Sequence, residues 1–361
     1  MIFVRAPLRI SFGGGGTDLP AYYERHGGLV VSAAITRYSY ALIERAPGAA
    51  GSVFSADYGL RFSWTPSRLP AVQPPLALPK AALRDLAERG TLYQSAAISL
   101  ASDVPPGSGL GSSSAMAVAL AQALASWYET PLRSHTAADR ACALEIGRLG
   151  MPIGKQDQYA SAYGGVNTIE FTANAVRVTP LRLACATRDA LDERLMLFWT
   201  GRSHDSASIL QAQRRDTQTR PTVVGLLHRL KVLAREMRDA LKAGDLDDFG
   251  RLLDVGWRTK RQLSGAISSS EIDDWYATAK HAGAIGGKIT GAGGGGYLLL
   301  YAPTERQHDV RDALGQCGLR EMPFSLDMVG VTRLEQPPQQ WMGRFDERGA
   351  GAPPVRAPSS A

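Results

Sequence analysis

The run Pro106-Gly107-Ser108-Gly109-Leu110-Gly111-Ser112-Ser113-Ser114 constrains this chain more than any other segment. It leads straight into Ala115 to Tyr128, apolar on nearly every face, which is the pattern of a helix buried all round. Glycines let a backbone turn so that successive N–H groups point inward at a ligand. The helix start adds unpaired donors and a partial positive charge. Serine hydroxyls add further donors, and one can ligate a metal. Together these features suit a polyphosphate. The plainer alternative is a flexible turn and a helix capped by Ser112 or Ser113, for which one glycine and one serine would suffice. The common P-loop is absent, because Gly287-Lys288 is followed by Ile289 rather than by Ser or Thr.

Two more glycine segments flank this one. Gly291 to Gly296 fits G-x-G-x-x-G, but Tyr297-Leu298-Leu299-Leu300-Tyr301 after it reads as a strand, whereas a dinucleotide site opens a helix. It is read as a glycine bridge between two strands. Gly13 to Gly16 precedes Thr17-Asp18; Asp18 either caps a helix through Tyr22 and Tyr23 or accepts hydrogen bonds from a sugar-like substrate.

The rest of the composition narrows the class. In 361 residues, 44% are apolar and 20% charged, which excludes a wholly disordered chain. No apolar stretch reaches membrane-span length and no secretory leader pattern opens the chain, so a cytoplasmic enzyme without membrane partners is expected. Cys142, Cys185 and Cys317 suggest neither a disulfide framework nor a zinc site. The net charge of +6 has no clustered basic stripe, which argues against nucleic acid.

Periodicity places strands at Phe3 to Phe12, Leu29 to Ala34, Tyr38 to Glu44, Val53 to Phe54, Leu60 to Trp64, Ala96 to Leu100, Val166 to Phe171, Ala175 to Thr179 and Leu195 to Thr200. Helices are expected at about Lys80 to Arg89 and Thr136 to Leu149, and through most of 204–282. Residues 285–333 read as strand, glycine loop, strand, helix, strand, strand. The expected division is 1–190, 191–335 and a disordered tail at 336–361.

Read in order, the three segments resemble the kinase superfamily named for galacto-, homoserine, mevalonate and phosphomevalonate kinases. Ala6-Pro7-Leu8-Arg9 to Asp18 matches its first motif, Pro106 to Ser114 its second, and Lys288 to Gly296 its third. Within it, Gly14 to Asp18, Gln156-Asp157-Gln158-Tyr159-Ala160 and Trp257-Arg258-Thr259-Lys260 look most like bacterial D-glycero-D-manno-heptose 7-phosphate kinases. One departure is His204, where relatives commonly show Arg.

The resemblance implies an α+β chain of two domains, with an N-terminal mixed α/β domain holding ATP and a helix-richer C-terminal domain. It implies transfer from ATP, with Mg²⁺, to the anomeric hydroxyl of a small sugar phosphate, giving the 1,7-bisphosphate. Asp157 becomes the catalytic carboxylate, with Arg9 and Lys155 as nearby cations. Pro106, Gly107, Ser108, Gly109, Leu110, Gly111, Ser112, Ser113 and Ser114 become the nucleotide loop. Ser113 (Ser114 as alternative) and Glu145 become metal ligands. Gly15, Gly16, Thr17, Asp18, Gly293 and Gly294 fall to the substrate, and Arg202, Arg258 and Lys260 to its distal phosphate. A homodimer is compatible with the resemblance. An unphosphorylated fucose- or galactose-like sugar and a non-catalytic sugar sensor are the rival readings.

Overall fold

The computed structural model describes residues 1–203 and 206–336. His204 and all of the expected tail except Gln336 lie outside the described residues. The chain opens with β1 (Ile2–Gly13), α1 (Pro20–His26), a long β2 (Gly28–Arg45), β3 (Gly51–Ser55), β4 (Leu60–Trp64), α2 (Ala77–Glu88) and β5 (Ala96–Ser102). Next come α3 (Ser112–Tyr128), α4 (Ser134–Cys142) running on as a π-helix (Ala143–Arg148), α5 (Gln156–Tyr163), β6 (Val166–Phe171), β7 (Val176–Pro180) and α6 (Cys185–Arg194). The second half holds β8 (Leu195–Trp199), α7 (Ser206–Thr219), α8 (Pro221–Ala243), α9 (Leu246–Arg261) and α10 (Ser270–Ala282). It closes with β9 (Gly286–Ile289), β10 (Tyr297–Tyr301), α11 (Gln307–Gln316), β11 (Arg320–Glu321) and β12 (Thr332–Leu334).

The first sheet runs β12-β1-β2-β5-β3-β4, with β6 and β7 attached through β2. Its central β2 is one strand where two were expected. The register of β1 against β2 slips between Pro7 and Leu8, skipping Thr36 and Arg37, and this bulge is what breaks the alternation read in the sequence. The all-round apolar helix is α3, whose alanines allow close approach to β1 and β2.

The second sheet, β11-β8-β10-β9, is antiparallel. Every residue of β8 and β10 is buried, because both faces are covered. Met196, Phe198, Leu298 and Leu300 pack into the C-terminal helices, while Leu197, Leu299 and Tyr301 join the core of the first sheet. Strand alternation thus welds the two halves together. The expected division at 190/191 falls within α6, one turn before β8. The chain after β11 departs from that division. Asp327 N–H bonds Ala34 O at 2.9 Å, and β12 pairs with Phe3 to Arg5 of β1, so the last described strand belongs to the first sheet.

Candidate active site

Between the two halves lies a cleft walled by the end of β1, the glycine loop before α3, the start of α5, and side chains from α7, α9 and β9. All three glycine segments of the sequence meet there. Gly107, Gly109 and Gly111 carry positive φ of 75°, 78° and 75°. A side chain at Gly109 would stand 2.8 Å from the Thr290 carbonyl oxygen, and one at Gly291 would stand 2.8 Å from Gly109 Cα. The second and third segments therefore touch backbone to backbone, which no larger residue would allow. As expected, the third segment bridges two antiparallel strands, β9 and β10.

No serine caps α3. Gly111 occupies the N-cap position without a side-chain hydrogen bond, so the serines of the first turn face elsewhere. Ser113 Oγ donates to Glu145 Oε1 at 2.6 Å, and Gln158 Nε2 donates to Glu145 Oε2 at 2.7 Å. Burial pushes the Glu145 carboxyl above the usual carboxylate range, against the pull of these donors. Gly107, Ser108, Gly109, Gly111, Ser112, Ser113 and Ser114 line the cleft. Leu110 is a correction to the expected loop. Its side chain is core, so only its backbone can serve the site, and its carbonyl accepts from Arg9 N at 3.0 Å.

Arg9 reaches from β1 to Asp157 in the first turn of α5. Nε donates to Oδ1 at 2.7 Å and Nη2 to Oδ2 at 2.5 Å, while Nη1 takes the Gly109 carbonyl at 2.7 Å. Arg5, the other arginine of the strand, lies over the Tyr38 ring at 4.3 Å instead. Lys155 is a second correction. Its ammonium sits 5.4 Å from the Tyr23 ring centroid and it is not among the residues lining the cleft.

Asp18 does not cap α1, whose N-cap is Leu19. It accepts from Gly16 N at 2.9 Å and Gln156 N at 3.4 Å, and burial, then the nearby Asp157 charge, raises its pKa. Gly15 and Gly16 line the cleft with it. Thr17 does not: its hydroxyl donates to Gly14 O and Leu29 O and accepts from Leu29 N, so the backbone uses it up. Gly293 and Gly294 pack on Ile267, and Gly294 N bonds Ile267 O at 2.9 Å, away from the lining where Gly291 and Ala292 stand.

Two lysines complete the wall. Lys260 Nζ donates to Gly291 O, and burial lowers its pKa to about 8. Lys288 Nζ donates to Ser11 O at 2.8 Å and is pushed well below the ordinary lysine range by burial, then by Lys260 and Arg9. Neither forms an ion pair among the described residues, whereas Arg202 and Arg258 do, outside the cleft. Arg202 pairs with Glu271 at 2.8 Å and Arg258 with Asp254 at 2.7 Å. The sequence reading passed over Ser11, Gln156, Leu210 and Gln213, which also line the cleft. Gln156 adjoins the marked Asp157; α7 offered no signal.

An apolar pocket opens off the cleft and shares Gly107, Ser112, Ser113 and Met151 with it. Leu78, Pro79, Pro106, Met116 and Leu149 form its sides. Among the described residues no helix is long and apolar enough to cross a membrane.

Comparison with known proteins agrees with this geometry. Residues 77–165 match the GHMP kinases N terminal domain and residues 237–318 the GHMP kinases C terminal family. The chain is 31% identical over 334 residues to a D-glycero-alpha-D-manno-heptose 7-phosphate kinase of Campylobacter jejuni, covering 91% of this chain and 98% of that one. A solved D-glycero-D-manno-heptose 1-phosphate kinase from Bacteriodes thetaiotaomicron superposes with a TM-score of 0.77 at 28% identity, over 94% of this chain and 100% of the other. Lactococcus lactis galactokinase, crystallised with galactose, shares the fold at a TM-score of 0.74 and 20% identity, over 92% of this chain and 95% of that one. A relative so similar across nearly its whole length, together with both family matches, places the chain in the GHMP kinase superfamily, as an ATP-dependent phosphotransferase acting on a sugar hydroxyl.

Proposed function

We propose that the chain phosphorylates the anomeric hydroxyl of a heptose 7-phosphate, giving the 1,7-bisphosphate. The observation that carries this reading is the charge of the cleft. Lys260 and Lys288 are buried there and, among the described residues, donate only to backbone carbonyls, which suits an acceptor that brings its own phosphate. The relative from Campylobacter jejuni supports the same choice. Asp157 takes the proton of the 1-hydroxyl as the oxygen attacks the γ-phosphorus, the bond to the β-phosphate oxygen breaks, and ADP leaves. Arg9 fixes the orientation of that carboxylate and offers positive charge to the transferred group.

The triphosphate lies along the amides of 107–114, and adenine enters the apolar pocket beside Met116. Ser113 and Glu145 present hard oxygens 2.6 Å apart, a donor set that fits Mg²⁺. These two residues would hold the ion, which would supply charge to neutralise the phosphates.

A substrate panel read by phosphorus NMR tests the reading. With ATP and Mg²⁺, a new anomeric phosphate signal is expected from D-glycero-D-manno-heptose 7-phosphate, and little from the unphosphorylated heptose, fucose or galactose. Turnover confined to an unphosphorylated sugar overturns it, and ATP binding without any transfer favours the sensor.

A further inference from the structure

Among the described residues, four side-chain atoms lining the cleft are buried without a hydrogen-bond partner: Ser11 Oγ, Ser108 Oγ, Gln156 Oε1 and Gln213 Nε2. Protein interiors seldom leave polar groups in that state, and each such group calls for an explanation. Three of the four residues surround one spot. A side chain added at Gly15 would stand 3.7 Å from Ser11 Oγ and 3.8 Å from Gln156 Nε2. One added at Gly16 would collide with Gln213 Nε2. Gly15 thus forms a bare floor with Ser11 and Gln156 beside it, the Gln213 amide covers the adjoining Gly16, and Asp18 lines the same cleft.

Ser11 and Gln156 come from the first half of the chain, but Gln213 comes from α7 in the second. Its side chain crosses to the floor glycines, which have room for it only because Gly16 lacks a Cβ. The residue is 6% exposed on a helix that is otherwise mostly solvated, and Leu210, one turn earlier, faces the cleft too. A leucine at 213 would fill the same space without burying an amide. What an amide adds is a donor aimed at something polar.

We propose that Gln213 is a specificity-determining residue whose amide nitrogen donates to a hydroxyl oxygen of the sugar seated on Gly15. The proposal rests on the chain being a sugar kinase, and holds whether or not the sugar carries a 7-phosphate.

Gln213→Leu tests it, assayed with D-glycero-D-manno-heptose 7-phosphate or, should the wild type leave that untouched, with whichever panel sugar it phosphorylates. A wild type inactive on the heptose phosphate thus refutes the substrate reading without touching this one. The expected result is a sugar KM raised tenfold or more, an ATP KM within twofold of wild type, and a Tm at or above wild type because an unpartnered donor has been removed. Monodeoxy analogues of the accepted sugar give the second readout. Wild type should discriminate against one of them at least tenfold, and Gln213→Leu less than twofold at that position. A sugar KM within twofold of wild type, equal discrimination by both proteins, or a lowered Tm with both KM values moving together overturns the proposal. If the leucine variant does not fold, Gln213→Asn, which keeps the amide but draws it back from the floor, carries the same KM and discrimination expectations.

Discussion

Arg9 and Asp157 stand 148 residues apart in the chain, yet their side chains meet in a two-point ion pair of 2.7 and 2.5 Å beside the glycine loop. The planar guanidinium fork holds both carboxylate oxygens at once, which an ammonium cannot do. If Asp157 receives the acceptor proton, Asp157→Asn lowers kcat by roughly 10²- to 10⁴-fold. Binding of a fluorescent ATP analogue should remain within about threefold of wild type if, as proposed, the backbone of the glycine loop grips the phosphates. Arg9→Lys should lower kcat as well, because one charge survives but the fork is lost. Full activity in either variant, measured by ADP release, would remove the pair from the chemistry.

Glu145 is wholly buried, and its carboxyl is raised by that burial. An acid in such a place is a cost to the free protein unless a cation answers it. Glu145→Gln should raise the Mg²⁺ concentration for half-maximal activity by about tenfold or more, in line with two-ligand sites that depend on each carboxylate. The same variant without metal or nucleotide should be at least as stable as wild type at neutral pH in thermal melts. Unchanged Mg²⁺ dependence would assign the acid to packing.

Lys260 titrates near 8 because burial disfavours its charged form. Below that pH it is cationic, so the sugar phosphate should bind well; as pH rises through about 8 the charge is lost and the sugar KM should climb. Lys260→Met should start from a higher KM and lack this climb. Stability moves the other way. Between about 8 and the ordinary lysine value the unfolded chain binds more protons than the folded one, so wild type gains stability with rising pH across that window. The Tm of Lys260→Met relative to wild type should therefore fall from pH 7 to pH 10. A difference that stays flat would mean the ammonium is not desolvated.

If adenine enters the apolar pocket, Met116 separates base recognition from sugar recognition. It lines the apolar pocket that adjoins the loop through Ser112 and Ser113. Met116→Ala removes apolar surface worth about 1–2 kcal/mol when covered by a flat base, or roughly 5- to 30-fold in affinity. The ATP KM should rise by that order while the sugar KM stays put. Initial-rate measurements with each substrate varied in turn would show it.

The glycine segments were legible because glycine takes positive φ without the strain a side chain adds and lets two backbones touch, and those demands leave a mark in composition. The alternation of β1 and β6 and the all-round apolar face of α3 were legible for the same reason: periodicity reports burial. Direction was not. Lys155 adjoins Asp157 in sequence, yet it swings to Tyr23, and Thr17 spends its hydroxyl on the backbone of Gly14 and Leu29. Arg202 pairs with a surface glutamate. A single chain fixes neighbours along the backbone, and side-chain heading depends on partners that only the folded chain brings alongside. Gln213 shows the limit most clearly, since a glutamine on a charged helix carries no mark of facing inward.

The pairing of β12 with Phe3, Val4 and Arg5 has a consequence for biosynthesis. The free rim of β1, an inviting template for stray pairing, stays uncovered until residues 332–334 have been made. A nonsense codon between 322 and 332 would leave the same rim bare in the released product, with every cleft residue present. Such a product would be lost to aggregation rather than to any missing chemistry.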